Sequence, residues 1–309
     1  MGKIAFVYPG QGAQKFEMGK DFYDTFPTAK RIFDKADEIL DISVTDLCFK
    51  EDERLHQTSY TQAALVTTCL AITEVLKEKG IYPDMTAGLS LGEYAAIATA
   101  GGISIENAIK TVRERGIYME EAVPGGQGAM AAVLGMEVAQ IEKVLSTIEG
   151  AYIANYNCPG QIVITGMKES VDKACEALKE AGCKRCLPLK VSGPFHSPYL
   201  KEAGEKLGAF VEEVEFIPLQ IPYVTNVTAE PVENIQETRE LLVRQVSSSV
   251  RWIQSVERMI AEGVDTFVEI GPGKTLAGFI KKINPDVKVI NISQVADLDT
   301  FTEDWDVAG

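Results

Sequence analysis

Apolar residues run without a break through "KIAFVYPGQG" (3–12) until Pro9-Gly10, the pattern of a buried strand that ends in a tight turn. Helical spacing takes over at about 19–40, and again at 61–79 after the polar "HQTSYTQ". A short strand at 85–89 leads into "LGEYAAIATA", a strong helix former that Gly101-Gly102 stops. Ser104, with Glu106 and Asn107 in the following turn, caps a further helix that reaches about Ala122. The rhythm then changes. "GAMAAVLG" reads as a strand, 137–149 as a helix, "AYIANYN" and "QIVITG" as strands, 168–181 as a helix and "KRCLPLKV" as a strand. That β-α-β-β-α-β order is the ferredoxin-like arrangement. Beyond it, helices at about 198–213, 236–247 and 251–262 alternate with strands at 221–226, 266–271 and 287–293. Such alternation predicts a mainly parallel sheet covered by helices.

The fold class expected is therefore α/β, with a small domain at 126–193 inserted into a discontinuous large domain at 1–125 and 194–309. "PGGQG" (124–128) and "SGP" (192–194) suit the two hinges, and the acidic tail from Asp297 is expected to be peripheral. A length of 309 residues is ample for this partition. The net charge of −15 argues against binding to nucleic acid or an anionic membrane, each of which needs a basic field. No apolar run approaches the roughly eighteen residues of a membrane span. The N-terminus reaches Pro9-Gly10 too early for a signal-peptide core, and Phe6 spoils a myristoylation signal, so a cytoplasmic location is expected. Of the cysteines at 48, 69, 158, 175, 183 and 186, only Cys183 and Cys186 have a metal or dithiol spacing. In a strand these two would face opposite ways, so reduced structural thiols and no metal are expected.

Candidate chemistry centres on "GLSLG" (88–92), which fits G-x-S-x-G, a strand-to-helix turn that lifts a serine hydroxyl clear of a sheet. An alcohol attacks an acyl group only if a base takes its proton. The chain has two histidines. His56 lies in a polar segment and suits a solvated or capping role. His196, in "SGPFHSPY", closes the small domain and re-enters the large one, at the mouth of the same cleft as Ser90. No acidic third member announces itself, yet any acceptor at Nδ1, including a backbone carbonyl, selects the tautomer a base needs. The amide of Leu91 at a helix N-terminus, and one near Gln11 after the first strand, suit an oxyanion hole. "GPGKT" (271–275) lacks the first glycine of a phosphate-binding loop, position 268 being Val, and is a plain strand-to-helix turn. On residues alone the elbow fits a serine esterase or thioesterase, an acyltransferase, or an interaction protein with a decayed site.

Eight blocks occur in order: "FVYPGQGAQ" (6–14), "YTQAAL" (60–65), "GLSLGEY" (88–94), "RERGIYMEEAVPGGQGAM" (113–130), "NYNCPGQIVITG" (155–166), "SGPFHSPYL" (192–200), "LVRQVSSSVRW" (242–252) and "VEIGPGKTLAGF" (268–279). Together, from the first strand to about residue 293, they resemble malonyl-CoA:acyl carrier protein transacylase, the stand-alone bacterial type. The resemblance implies an α/β-hydrolase-like large domain with a ferredoxin-like insertion. It also implies an acyltransferase that moves malonyl from malonyl-CoA to the phosphopantetheine thiol of acyl carrier protein for fatty acid synthesis, as a monomer with no bound cofactor. By the same resemblance Ser90 is the nucleophile, His196 the base, and Gln11 and Leu91 the oxyanion amides. Gln245 orients His196 through its main-chain carbonyl, and Arg115 grips the malonyl carboxylate, a bidentate geometry that lysine cannot supply. Gln62 and Asn157 line the site, and Phe195 suits malonyl over methylmalonyl by crowding an α-methyl. The chain departs from the pattern at Leu89, where the family usually has histidine. Because carrier proteins are acidic, docking calls for a local basic cluster, for which Lys184, Arg185, Lys190, Lys281 and Lys282 are candidates.

Overall fold

A computed structural model describes residues 2–123, 125–191 and 193–299. The hinge residues Pro124 and Ser192 and the tail from residue 300 onward lie outside the described residues. In chain order the elements are β1 (Lys3–Tyr8), α1 (Lys20–Thr25), α2 (Pro27–Ile39), α3 (Val44–Phe49), α4 (Thr58–Glu78), β2 (Met85–Gly88), α5 (Gly92–Thr99) and α6 (Ile105–Glu121). Next come β3 (Gly128–Leu134), α7 (Val138–Leu145), β4 (Ala151–Cys158), β5 (Gln161–Met167), α8 (Lys168–Glu180) and β6 (Arg185–Pro188). The last group is α9 (Lys201–Glu212), β7 (Tyr223–Val224), β8 (Pro231–Val232), α10 (Thr238–Ser247), α11 (Trp252–Ala261), β9 (Val264–Ile270), α12 (Thr275–Ile283) and β10 (Lys288–Ile292).

Two sheets organise the chain. The first has the order β10-β9-β1-β2-β7-β8, parallel throughout except for the terminal β7–β8 pair. Its central strands are buried on both faces and read as the continuous apolar runs that a parallel sheet demands. From β1 the chain builds outward to β2 and β7 on one side and to β9 and β10 on the other. Turns at the carboxyl ends of β1 and β2 therefore open into one crevice, where ligands bind in open α/β sheets. The second sheet, β4-β5-β3-β6, is antiparallel.

Strand periodicity divides the second sheet's faces. Ala131 and Val133 of β3 and Ile162 and Ile164 of β5 pack with Ile141, Leu145, Val171 and Leu178 of α7 and α8. Their neighbours Met130, Ala132 and Val163 face the crevice instead. In β4 the register shifts between Ile153 and Asn155. Ile153 joins the helix-facing core, whereas Asn155 and Asn157, of the same parity, line the crevice. A bulge turns the strand over, and it delivers two asparagines where alternation would have put them against the helices.

Several local expectations change. The stretch 19–40 is two helices, because Pro27 forbids helical backbone at Phe26, which is extended, and instead starts α2. The strand expected at 221–226 shrinks to the two residues of β7, and β8 follows it. The helix α3, capped by Ser43, has no counterpart in the sequence reading. The cysteines need a correction: Cys175 of α8 and Cys186 of β6 form a disulfide, while Cys48, Cys69, Cys158 and Cys183 are free and buried. The antiparallel register brings β6 under α8, and this juxtaposition, invisible in sequence spacing, selects the pair. Among the described residues no helix is long and apolar enough to cross a membrane, and no cluster of His, Cys, Asp and Glu could hold a metal.

Candidate active site

Between β2 and α5 the chain makes a turn that needs a glycine at each end. A Cβ on Gly88 would lie 1.9 Å from the carbonyl carbon of Gly92, and one on Gly92 would lie 2.2 Å from the Tyr8 oxygen. Both glycines are steric requirements. Ser90 between them is left-handed, with φ 52°. Asn226, fully buried, clamps the turn: its Oδ1 accepts from Ser90 N at 2.7 Å and its Nδ2 donates to Gly88 O at 2.7 Å. Leu89 N donates to Tyr8 O at 3.0 Å and its side chain lines the crevice, so the leucine is accommodated within the turn.

His196 also has positive φ, 59°, and is only 5% exposed. Its Nδ1 lies 3.0 Å from the Gln245 carbonyl and 3.1 Å from the Ser248 carbonyl. Carbonyls only accept, so Nδ1 carries the proton and Nε2 is a free base. Nε2 is 2.7 Å from Ser90 Oγ, which donates to it. Burial first, and then the charge of Arg115, lower the imidazole pKa from 6.5 to about 4, which keeps it neutral at physiological pH.

Arg115, on α6, is 1% exposed. Its Nη1 donates to Gln62 Oε1 at 2.9 Å, and its Nη2 donates to Ser90 Oγ and to Gln245 Oε1, each at 3.1 Å. The guanidinium lies over the Tyr94 ring, 5.4 Å from its centroid. Burial pulls its pKa down, yet an arginine stays protonated. A buried cation with only neutral acceptors needs an anion. Glu93, fully buried in the first turn of α5, is the near one. Its Oε2 accepts from Gln245 Nε2 at 2.6 Å and from Asn226 N at 3.1 Å. Burial pushes the Glu93 carboxyl up to about 7, while these hydrogen bonds and the Arg115 charge pull the other way.

Around this group lies a cavity of about 260 Å³. Gln11, Leu91, Arg115, Asn157, Phe195 and His196 all line it. Gln62 does not. It is fully buried behind Arg115 and reaches the site only through that guanidinium. Gln245 is fully buried too and meets His196 through its carbonyl, while its side-chain amide joins Arg115, Ser90 and Glu93. Asn157 Oδ1 is buried without a hydrogen-bond partner among the described residues, a polar atom ready for a ligand. His56 is exposed, with its ring edge on Phe16, away from the cavity. Sequence reasoning missed Glu93, Asn226 and the Ser248 carbonyl. Only Glu93 left a signal, as the one charge in the apolar "GEYAAIAT".

The model of the acyl transferase domain matches residues 5–298. The chain belongs to that family. Among relatives of this acyl transferase, the malonyl CoA-acyl carrier protein transacylase of Bacillus subtilis is 48% identical over 298 residues, covering 95% of this chain and 94% of the relative. The enzyme of the same name from Staphylococcus aureus is 40% identical over 98% of this chain and 99% of its own. The crystal structure of the malonyl CoA-acyl carrier protein transacylase from Clostridium perfringens superposes with a TM-score of 0.95 at 41% identity, covering 99% of this chain and 98% of that one. A malonyl-transacylase solved in complex with a type II acyl-carrier protein also gives 0.95, at 38% identity over 98% of this chain and 99% of its own.

Proposed function

We propose that this acyl transferase moves a malonyl group from malonyl-CoA to the phosphopantetheine thiol of acyl carrier protein and so supplies malonyl-acyl carrier protein for fatty acid synthesis. One observation carries the reading. A single hydroxyl, Ser90 Oγ, has a neutral imidazole 2.7 Å away and a buried guanidinium nitrogen 3.1 Å away, a base and a carboxylate grip on one atom. His196 Nε2 takes the Ser90 proton as Oγ attacks the thioester carbonyl, and the C–S bond breaks as the intermediate collapses. The imidazolium returns the proton to the departing thiolate, leaving a malonyl ester on Ser90. The carrier thiol then repeats the steps in reverse, and no net proton is gained or lost. The N–H groups of Leu91 and Gln11 receive the oxyanion.

Arg115 exchanges its bonds to Ser90 and Gln245 for two parallel bonds to the malonyl carboxylate. Asn157 contributes its unpaired Oδ1, and Phe195 limits the room for an α-methyl. Gln62 and Gln245 hold Arg115 and His196. Substrates are the two thioester carriers, with no bound cofactor or metal assigned. A monomer in the cytoplasm fits this role, apart from nucleic acid and membranes. The strand order β4-β5-β3-β6 supports the ferredoxin-like reading of 126–193, and the parallel sheet with its serine elbow supports an α/β-hydrolase-like unit made of 1–125 and 194–309.

Intact-mass spectrometry after brief exposure to malonyl-CoA tests the reading. The wild type gains one malonyl group, which carrier protein discharges. Ser90→Ala, which has no oxygen to carry the ester, gains no malonyl group. Arg115→Ala lowers kcat/KM for malonyl-CoA by roughly 10² to 10³, the effect of leaving a buried carboxylate unpaired. An unlabelled wild type sinks the proposal, and rapid release of free malonate without carrier protein makes the enzyme a hydrolase.

A further inference from the structure

Gln245 presents both ends of its side-chain amide to charged groups, and this fixes which end faces which. Nε2 donates to Glu93 Oε2 at 2.6 Å and to the Ser90 carbonyl at 2.9 Å. The Ser90 carbonyl only accepts and Arg115 Nη2, at 3.1 Å from Oε1, only donates, so the amide orientation is fixed and its second hydrogen goes to Glu93, which accepts it as a carboxylate. A flipped amide would set its oxygen against a carboxylate and its NH₂ against a guanidinium, two repulsions in a site shut off from water. We propose that Glu93 is a positioning residue: through the Gln245 amide it holds Arg115 beside Ser90 and so sets the preference for acyl groups that carry a carboxylate.

The inference rests on the transfer reading above and extends it to a residue that touches neither Ser90 Oγ nor His196. Glu93 anchors on the large parallel sheet, because Asn226 N, just beyond β7, donates to the same Oε2 at 3.1 Å. The chain of contacts runs from that sheet through Glu93, Gln245 and Arg115 to the serine oxygen. Each link is a directional bond, and the two outer groups carry opposite charge. In Glu93→Gln the shape is kept but the charge is lost, so a neutral amide oxygen replaces the carboxylate that grips Gln245 Nε2, and the hold on the guanidinium beside the hydroxyl weakens.

The test compares single-turnover acylation of Ser90 by malonyl-CoA and by acetyl-CoA, followed by intact mass. The proteins are wild type, Glu93→Gln, Gln245→Met, Arg115→Ala and the double variant Glu93→Gln/Arg115→Ala. Glu93→Gln is expected to lower kcat/KM for malonyl-CoA by about 10- to 100-fold, mainly through KM, and that for acetyl-CoA by less than about 3-fold, the scale of one charge-assisted hydrogen bond felt by one donor only. Gln245→Met, which keeps the carbonyl that holds His196 but removes the side-chain bonds to Glu93, Arg115 and the Ser90 carbonyl together, is expected to lower kcat/KM for malonyl-CoA at least as far. In the Arg115→Ala background Glu93→Gln is expected to change the malonyl-to-acetyl ratio no further. An equal fall with both donors, or wild-type discrimination, in Glu93→Gln overturns the role of Glu93. Should Glu93→Gln fail to fold by circular dichroism, Glu93→Asp, which keeps the charge but draws it back by one methylene, decides by the same criterion. A wild type that malonyl-CoA does not label sinks the transfer reading and this one together.

Discussion

His196 shows how one residue's surroundings set its chemistry. An exposed histidine has lost much of its free-base form by pH 6, but this ring is buried beside a fixed cation, and its pKa falls to about 4. The sign follows: the neutral base exists above the folded pKa and is lost as pH drops through it. Acylation by acetyl-CoA, which does not engage the Arg115 grip, should therefore hold level on acidification from about pH 8 to about pH 5 and fall to half near 4, where an ordinary imidazole would have failed near 6.5. Stopped-flow release of CoA measures this, and an inflection near 6.5 would mean that the ring is hydrated. With malonyl-CoA an additional fall is expected as pH drops through about 7, where the Glu93 carboxyl loses its charge, and Glu93→Gln abolishes that step. Ser90 and His196 were legible in the sequence because the elbow motif and the loop that re-enters the large domain mark them out, whereas Arg115 came only through the family resemblance. Asn226 was not legible, since a polar residue at the end of a short strand looks like any turn residue, and only the fold brings it under Ser90.

At the scale of elements, the turn from β2 into α5 is the most constrained part of the chain. Gly88→Ala drives a methyl into the backbone of Gly92, with no side chain able to yield. The expected cost is about 3 kcal/mol or more, read as a lower urea midpoint and accompanied by loss of acylation. Retention of wild-type stability would show that the turn can open. Sequence patterning caught nearly every element of the β-α-β-β-α-β stretch, because one face of each strand is apolar against α7 and α8. It could not catch the bulge in β4. Both asparagines sit two and four residues after Ile153, so strict alternation assigns all three to one side. The break that sends Asn155 and Asn157 into the cavity leaves no mark in the order of polar and apolar residues. Pro27, by contrast, was there to be read, and the helical periodicity on both sides of it masked the interruption.

For the whole molecule, the charge balance frames the meeting with a carrier protein. At −15 the chain repels an acidic partner everywhere except at local basic patches. Lys184, Arg185 and Lys190 are exposed along β6 and the segment after it, where Leu189 and Val191 on either side of Lys190 line the cavity. Lys282 lies on α12, whose first turn lines the opposite wall; neighbouring Lys281 is tied to the carbonyls of Pro285 and Val287 at 3.0 and 2.7 Å. Reversing Lys184, Arg185 and Lys190 to glutamate should slow discharge to carrier protein by about tenfold at low salt and leave acylation by malonyl-CoA unchanged. Salt titration checks it: the gap between wild type and variant should close as ionic strength rises.

The cavity is walled from two sources. Ser90, Leu91, Arg115 and the carbonyls that steer His196 belong to the parallel sheet and its helices, whereas Met130, Ala132, Asn155, Asn157 and Val163 come from the four-stranded sheet across the cleft. Bond making and the carboxylate grip thus share one part of the polypeptide, and the wall that faces them is written in another. Evolution, or an engineer, can recut the ceiling to admit a different acid while the proton-handling floor stays as it is.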